Sequence, residues 1–149
     1  MQNLNDPANR QAILGRLSAL TPSHPRQWGK MNAAQMLAHC ALIMEIACGD
    51  RPKKQIFIGR LLAPFVRSTA LGDRPFGRNG PTGREFKILD ERDFAAERTR
   101  LADLVDRFCT RGPAGAEGLV HPFFGRLTAE EWGRLMYKHL DHHLRQFNA

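Results

Sequence analysis

Six histidines carry most of the chemistry this sequence offers: His24, His39, His121, His139, His142 and His143. His139 and His143 stand at i and i+4, which on a helix puts both rings on one face, about 6 Å apart at Cβ. Two imidazoles so placed can bind one metal ion. His39 falls on the apolar stripe of a different helix, and metal sites in helical bundles are built where core-facing side chains of separate helices converge. Three neutral imidazoles leave a coordination position open, the arrangement of a catalytic site and not of a closed structural one. The alternative is three core histidines, each held by a hydrogen bond. The combination favours a metal, because burying three rings without partners costs roughly 1–3 kcal/mol per unsatisfied group. Histidine ligation suits zinc, nickel, copper and iron alike.

Other polar residues group around these three. Gln35 lies one turn before His39, and Gln146 follows His139 by seven residues. Each amide either lines the cavity and orients a ligand or does something plainer, a helix cap for Gln35 and an exposed amide for Gln146. His142 flanks the same stripe, either supporting the ligands or exposed. Asp141 falls on the far side of the helix from His139. His121 precedes an aromatic pair and is a turn residue, a fourth ligand or a substrate contact. His24, between Ser23 and Pro25, reads as solvated. Arg78 and Arg84 sit in a Gly- and Pro-rich stretch, where they meet an anionic group or only water. No Ser-His-Asp, Cys-His-Asn or phosphate-loop pattern is present.

These residues need elements to hold them. Asp6-Pro7 is a helix start, with Asp as cap and Pro at the first position, and Ile13, Leu17 and Leu20 follow at helical spacing. Asn32 and Gln35 form a capping-box pattern opening a helix that runs to about Cys48, with Gly49 as its left-handed cap. Met36, His39, Ile43 and Ala47 share its stripe. Gln55 to Leu71 reads as a helix with Ile58, Leu61, Leu62 and Phe65 apolar, kinked or split at Pro64. A long irregular stretch, Gly72 to Lys87, precedes a helix capped by Asp90 or Asp93, which buries Phe94, Leu101, Leu104, Val105 and Phe108 and stops near Arg111-Gly112-Pro113. Thr128 and Glu131 repeat the capping box for a last helix to about Phe147, striped by Trp132, Leu135, Met136, His139, Leu140, His143 and Phe147. No period-2 pattern persists, so the class is all-α. Four principal helices, a broken extra helix and a long connecting loop predict a four-helix bundle.

Composition narrows the function classes. At 149 residues with 42% hydrophobic and 25% charged residues, the chain fits one domain, 1–149, with an ordinary core. Apolar runs stop far short of the ~20 residues of a membrane span, so no membrane partner is expected. The first residues lack an apolar signal core and place the protein in the cytoplasm. Cys40, Cys48 and Cys109 form no Cys-x-x-Cys pair, which suits a reducing compartment. The net charge of +7 is carried largely by dispersed arginines, with one small cluster at Arg51-Pro52-Lys53-Lys54. Without an aromatic-rich basic platform, nucleic acid is not the expected partner.

Two motifs together resemble a known superfamily. His139-Leu140-Asp141-His142-His143-Leu144-Arg145-Gln146 is similar to the terminal-helix signature of the DinB-like (YfiT-like) metalloenzymes, and Met36-Leu37-Ala38-His39 to the second-helix motif that supplies their third ligand. Trp28 to Gln35 and His121 to Thr128 resemble a branch carried only as a domain of unknown function. The resemblance implies an up-down-down-up four-helix bundle, often dimeric. It implies a divalent metal, zinc or nickel, on His39, His139 and His143. It also implies a small-molecule substrate, with some relatives acting as transferases or isomerases on low-molecular-weight thiols and others as hydrolases. The competing reading is a metal-free dimeric binding or interaction protein.

Overall fold

The computed structural model describes residues 2–149. Helices predominate: α1 (Pro7–Ala19), α2 (Ala33–Ala47), α3 (Phe57–Leu71), α4 (Phe94–Ala116) and α5 (Ala129–Gln146). A single 3-10 turn, Arg84–Phe86, interrupts the loop between α3 and α4. A two-stranded antiparallel hairpin, β1 (Val120–His121) and β2 (Gly125–Arg126), joins α4 to α5.

The cap residues act as their types dictate. Asp6 accepts from Ala8, Asp93 from Ala96, and Asn32 and Thr128 form reciprocal boxes with Gln35 and Glu131. Each satisfies amides that the first helical turn leaves unpaired. Helices α1 and α2 each pack against both α4 and α5. Their side chains form one apolar cluster, including Ile13, Leu17, Met36, Leu37, Met44, Leu101, Val105, Trp132, Met136 and Leu140. Helix α2 is enclosed on almost every side, Cys40 included, as is its capping residue Cys48, so a histidine on it faces protein wherever it points.

Three departures from the sequence pattern matter. Helix α4 breaks near Arg111-Gly112-Pro113 as expected, but helix resumes beyond the break. Gly112 turns the chain with φ 65° and ψ −175°, and one further turn, led by Pro113, runs to Ala116. A side chain is disfavoured at that φ, which is why glycine stands there. The hairpin was not expected, because strands of two residues cannot display a period of two.

The third departure is α3. It is continuous through Pro64, and its large residues point outward. Ile58, Leu61, Leu62 and Phe65, the apolar positions of its pattern, are exposed, as are Phe57 and Val66. The buried positions are Gly59, Ala63 and Leu71. A Cβ on Gly59 would lie 2.4 Å from the Phe123 carbonyl oxygen, so the helix approaches the hairpin by its smallest residues. The seat is polar as well. Ile56 N–H donates to the Pro122 carbonyl and Gln55 Nε2 to that of Phe123, while Arg67 pairs with Glu131. Lys138 of α5 donates to the carbonyls of Thr69, Ala70 and Gly72 at the far end, where the last carbonyls of a helix need donors.

Among the described residues no helix is long and apolar enough to cross a membrane.

Candidate metal centre

His39 from α2 and His139 and His143 from α5 meet inside the helical core. Each ring offers one nitrogen, and the three nitrogens all lie within 4.8 Å of one another. His39 and His143 are buried and His139 is partly so. Their ring centroids are separated by 4.7–5.1 Å.

Two of the three rings have their tautomers fixed from behind. His39 Nδ1 is 2.8 Å from the Phe86 carbonyl oxygen. A carbonyl only accepts, so Nδ1 carries the proton and Nε2 is left as a lone pair. His143 Nδ1 is 2.9 Å from Gln146 Oε1. The Gln146 amide is itself oriented, because its Nε2 donates to the Trp28 carbonyl at 2.8 Å. Oε1 therefore accepts from His143 Nδ1–H, and His143 Nε2 also keeps its lone pair. Backing of this kind is what sets ring orientation and basicity in metal-ligating histidines.

His139 has no such backing. Its Nε2 lies 3.1 Å from His39 Nε2, while its Nδ1 is enclosed with no hydrogen-bond partner. If Nε2 carries the proton, it satisfies His39 but leaves a bare buried nitrogen behind. If Nδ1 carries it, two lone pairs oppose each other at 3.1 Å. A cation shared by the Nε2 atoms removes that opposition. A separation of 3.1 Å is close to the roughly 3.3 Å edge of a tetrahedron with metal–nitrogen bonds of ~2.0–2.1 Å. The residues present fit a divalent ion.

Burial keeps these rings neutral, as ligands must be. Loss of solvation pushes the His39 imidazole below the usual range and His143 down to about 3. His139 is driven well down by burial, and further by the neighbouring histidines.

The remaining candidates divide. Gln146 is 3% exposed, so it is a buried support for His143 and not a surface amide. Gln35 is committed to the cap: its Oε1 accepts from Asn32 N–H and its Nε2 donates to the Asp90 carbonyl. Neither polar atom bonds a histidine. His142 packs between Trp28 and Phe76, at ring distances of 5.4 and 5.9 Å, and beside His143 at 5.1 Å. It lines an open recess of about 340 Å³ with Trp28, Phe76, Arg78, Lys138 and Arg145. Arg78 lies 4.5 Å over the Trp28 ring. Asp141 also lines that recess and pairs with Arg16 and Arg145. His24 Nδ1 bonds Thr21.

His121 serves the hairpin turn. Its Nδ1 accepts from Phe123 N–H and Phe124 N–H, both at 3.1 Å, and it is not one of the three grouped nitrogens. Burial lowers its pKa to about 4, against about 6.5 in an unfolded chain. Between those values the unfolded chain binds more protons, so this contribution to stability is complete above pH 6.5 and lost as pH falls toward 4. The loss from pH 7.5 to pH 5 is on the order of 2 kcal/mol. Asparagine keeps an acceptor for the turn and does not titrate. Urea unfolding at the two pH values is therefore expected to show a smaller pH difference in His121→Asn than in the parent. Equal pH differences would refute this role.

Sequence reasoning missed the two backbone carbonyls, of Phe86 and Trp28, that act behind the rings. Main-chain atoms leave no residue-type signal. What a sequence does offer is the placement of both loops next to capped helices.

The profile of a family described as a protein of unknown function (DUF1569) matches residues 3–149, all three grouped histidines included. No curated protein and no solved structure matches. By that nearly full-length match the chain belongs to the DUF1569 family.

Proposed function

We propose that this protein is a divalent-metal-dependent enzyme, its ion held by His39, His139 and His143 in a single four-helix-bundle domain of the DinB-like kind. The observation that carries the reading is the convergence of three imidazoles from helices a hundred residues apart, two with their outer nitrogens already committed to acceptors. Zinc and nickel are the ions we favour, on the donor set and on the resemblance of the two histidine motifs. When bound, such an ion supplies Lewis acidity toward a thiol, a carbonyl or water.

The chain's own residues define the rest. Gln146 holds His143 in one tautomer and orientation. The Phe86 carbonyl does the same for His39, which gives the long loop before α4 a task. The recess beside His142 is where we place a small-molecule substrate, with Trp28 and Phe76 as apolar walls and Arg78 to meet an anionic end. Thiol-dependent transfer or isomerisation and hydrolysis are the two reaction classes that this arrangement serves.

Metal content after chelator-free purification is the test. The parent should carry about one equivalent of zinc or nickel, and His39→Ala and His143→Ala well under a tenth of that. Gln146→Leu keeps all three ligands and removes the support behind one. It should bind zinc about 10- to 100-fold more weakly in a competition titration. Equal metal in the parent and both alanine variants would end the proposal.

A further inference from the structure

We propose that α3 is a membrane-surface helix, lying flat on an anionic lipid bilayer with its outward apolar face in the headgroup region. The first ground is geometric. Phe57, Ile58, Leu61, Leu62, Phe65 and Val66 repeat at helical spacing and share the face turned away from the protein. Phe57 and Phe65 are 75% and 81% exposed, so most of each residue is left to solvent. Isolated apolar residues at a surface are ordinary; a contiguous stripe along one helix marks an interaction site. The inner face uses Gly59 and Ala63, which is the reverse of a helix meant to fill a core.

The second ground is charge. Between residues 51 and 88 stand nine Lys and Arg against two Asp and Glu, an excess equal to the net charge of +7 for the whole chain. The rest of the sequence is balanced, with 13 of each sign. Lys54, Arg60, Arg74, Arg84 and Lys87 are exposed and make no ion pair among the described residues. Lys54 precedes the helix, Arg60 flanks the apolar stripe and Arg74 follows it. Apolar residues on one face with basic residues around them are the composition of an interfacial helix. Anionic headgroups attract such a segment.

The same charge argues against a second copy as the occupant. A twofold contact through α3 sets the same patch against itself, and here it would bring two strongly positive segments together. A lipid surface answers both properties at once. The absence of a spanning helix does not conflict with this, because a helix lying in the interface crosses nothing.

The experiment is co-sedimentation with unilamellar vesicles, one set of pure phosphatidylcholine and one in which phosphatidylserine makes up a third of the lipid. The parent should partition onto the anionic set about tenfold or more above the neutral set. That binding should fall on going from about 0.1 M to about 1 M salt, as the screening length drops from ~10 to ~3 Å. Phe57→Ser with Phe65→Ser should abolish it, and Lys54→Glu with Arg60→Glu should weaken it by about tenfold. All four positions are exposed, so circular dichroism and zinc uptake should match the parent. No binding, equal binding to both vesicle sets, or binding indifferent to the paired Phe→Ser change overturns the proposal. So does a solution dimer, seen by light scattering, that the Phe→Ser pair dissociates.

Discussion

Zinc supplied at about a thousand times its dissociation constant is expected to stabilise the stripped protein by about 4 kcal/mol. For a chain of this length that is a rise of roughly 8–16 °C in the unfolding midpoint. The size of the effect comes from where the ligands are. In the unfolded chain His39 is a hundred residues from His139, and no ion draws them together cheaply. In the fold the three nitrogens already lie within 4.8 Å, and two rings have their outer N–H groups on fixed acceptors. Binding also lets the His39 and His139 Nε2 atoms, 3.1 Å apart, both present lone pairs without opposing each other. The check is a thermal melt by near-ultraviolet circular dichroism, with and without zinc, on the parent and on His139→Ala. The parent should shift and the variant should stay within a degree or two. Equal shifts in the two would show that zinc acts elsewhere, and a flat parent would show that the cluster holds hydrogen bonds and no ion.

How much of this the sequence displayed depended on whether a feature was local. The capping boxes at Asn32–Gln35 and Thr128–Glu131 are four-residue patterns with a fixed hydrogen-bond logic, and both occur as written. The i, i+4 pair at His139 and His143 follows from helix geometry alone. That His39 would join them required only that α2 face α5, which its unbroken apolar character supports. Long-range polar partners were a different matter. Gln146 reads more readily as an exposed amide than as cavity lining, and its place was decided by the Trp28 carbonyl more than a hundred residues away.

Helix α3 was legible as a helix and illegible as to side. Periodicity gives an apolar face but not what that face meets. Here the helix was already occupied on the opposite face, by Gly59 against the Phe123 carbonyl and by Arg67 against Glu131. Pattern-based core assignment assumes that large apolar residues find the domain's own interior. On α3 they do not, and they mark a basic, apolar surface instead.

Trp132→Ala is expected to cost about 3–5 kcal/mol, a large fraction of the 5–15 kcal/mol that holds a typical domain folded. Trp132 is completely buried, and its Nε1 donates to the Leu119 carbonyl at 3.2 Å. Its ring lies 5.6 Å from that of His121. It therefore joins the first turn of α5 to the segment that leads into the hairpin, and the hairpin is the seat of α3. Alanine would leave a cavity under that junction and remove one of the two hydrogen bonds to the Leu119 carbonyl, the other coming from Leu127 N–H. Phenylalanine would keep most of the packing and lose only the hydrogen bond, a cost of about 0.5–1.5 kcal/mol because Leu127 N–H still satisfies the Leu119 carbonyl. Urea unfolding of the two variants separates these contributions. The junction stands two turns before His139 on the same helix, and it touches none of the three ligands. Zinc affinity of folded Trp132→Phe should therefore stay within about threefold of the parent, since second-sphere losses run to tenfold or more. A cost below about 1 kcal/mol for Trp132→Ala would mean that the hairpin is held by something other than this indole. A collapse of zinc affinity in Trp132→Phe would mean that the metal centre depends on the hairpin, through contacts at the start of α5 and not only through the helix that carries its histidines.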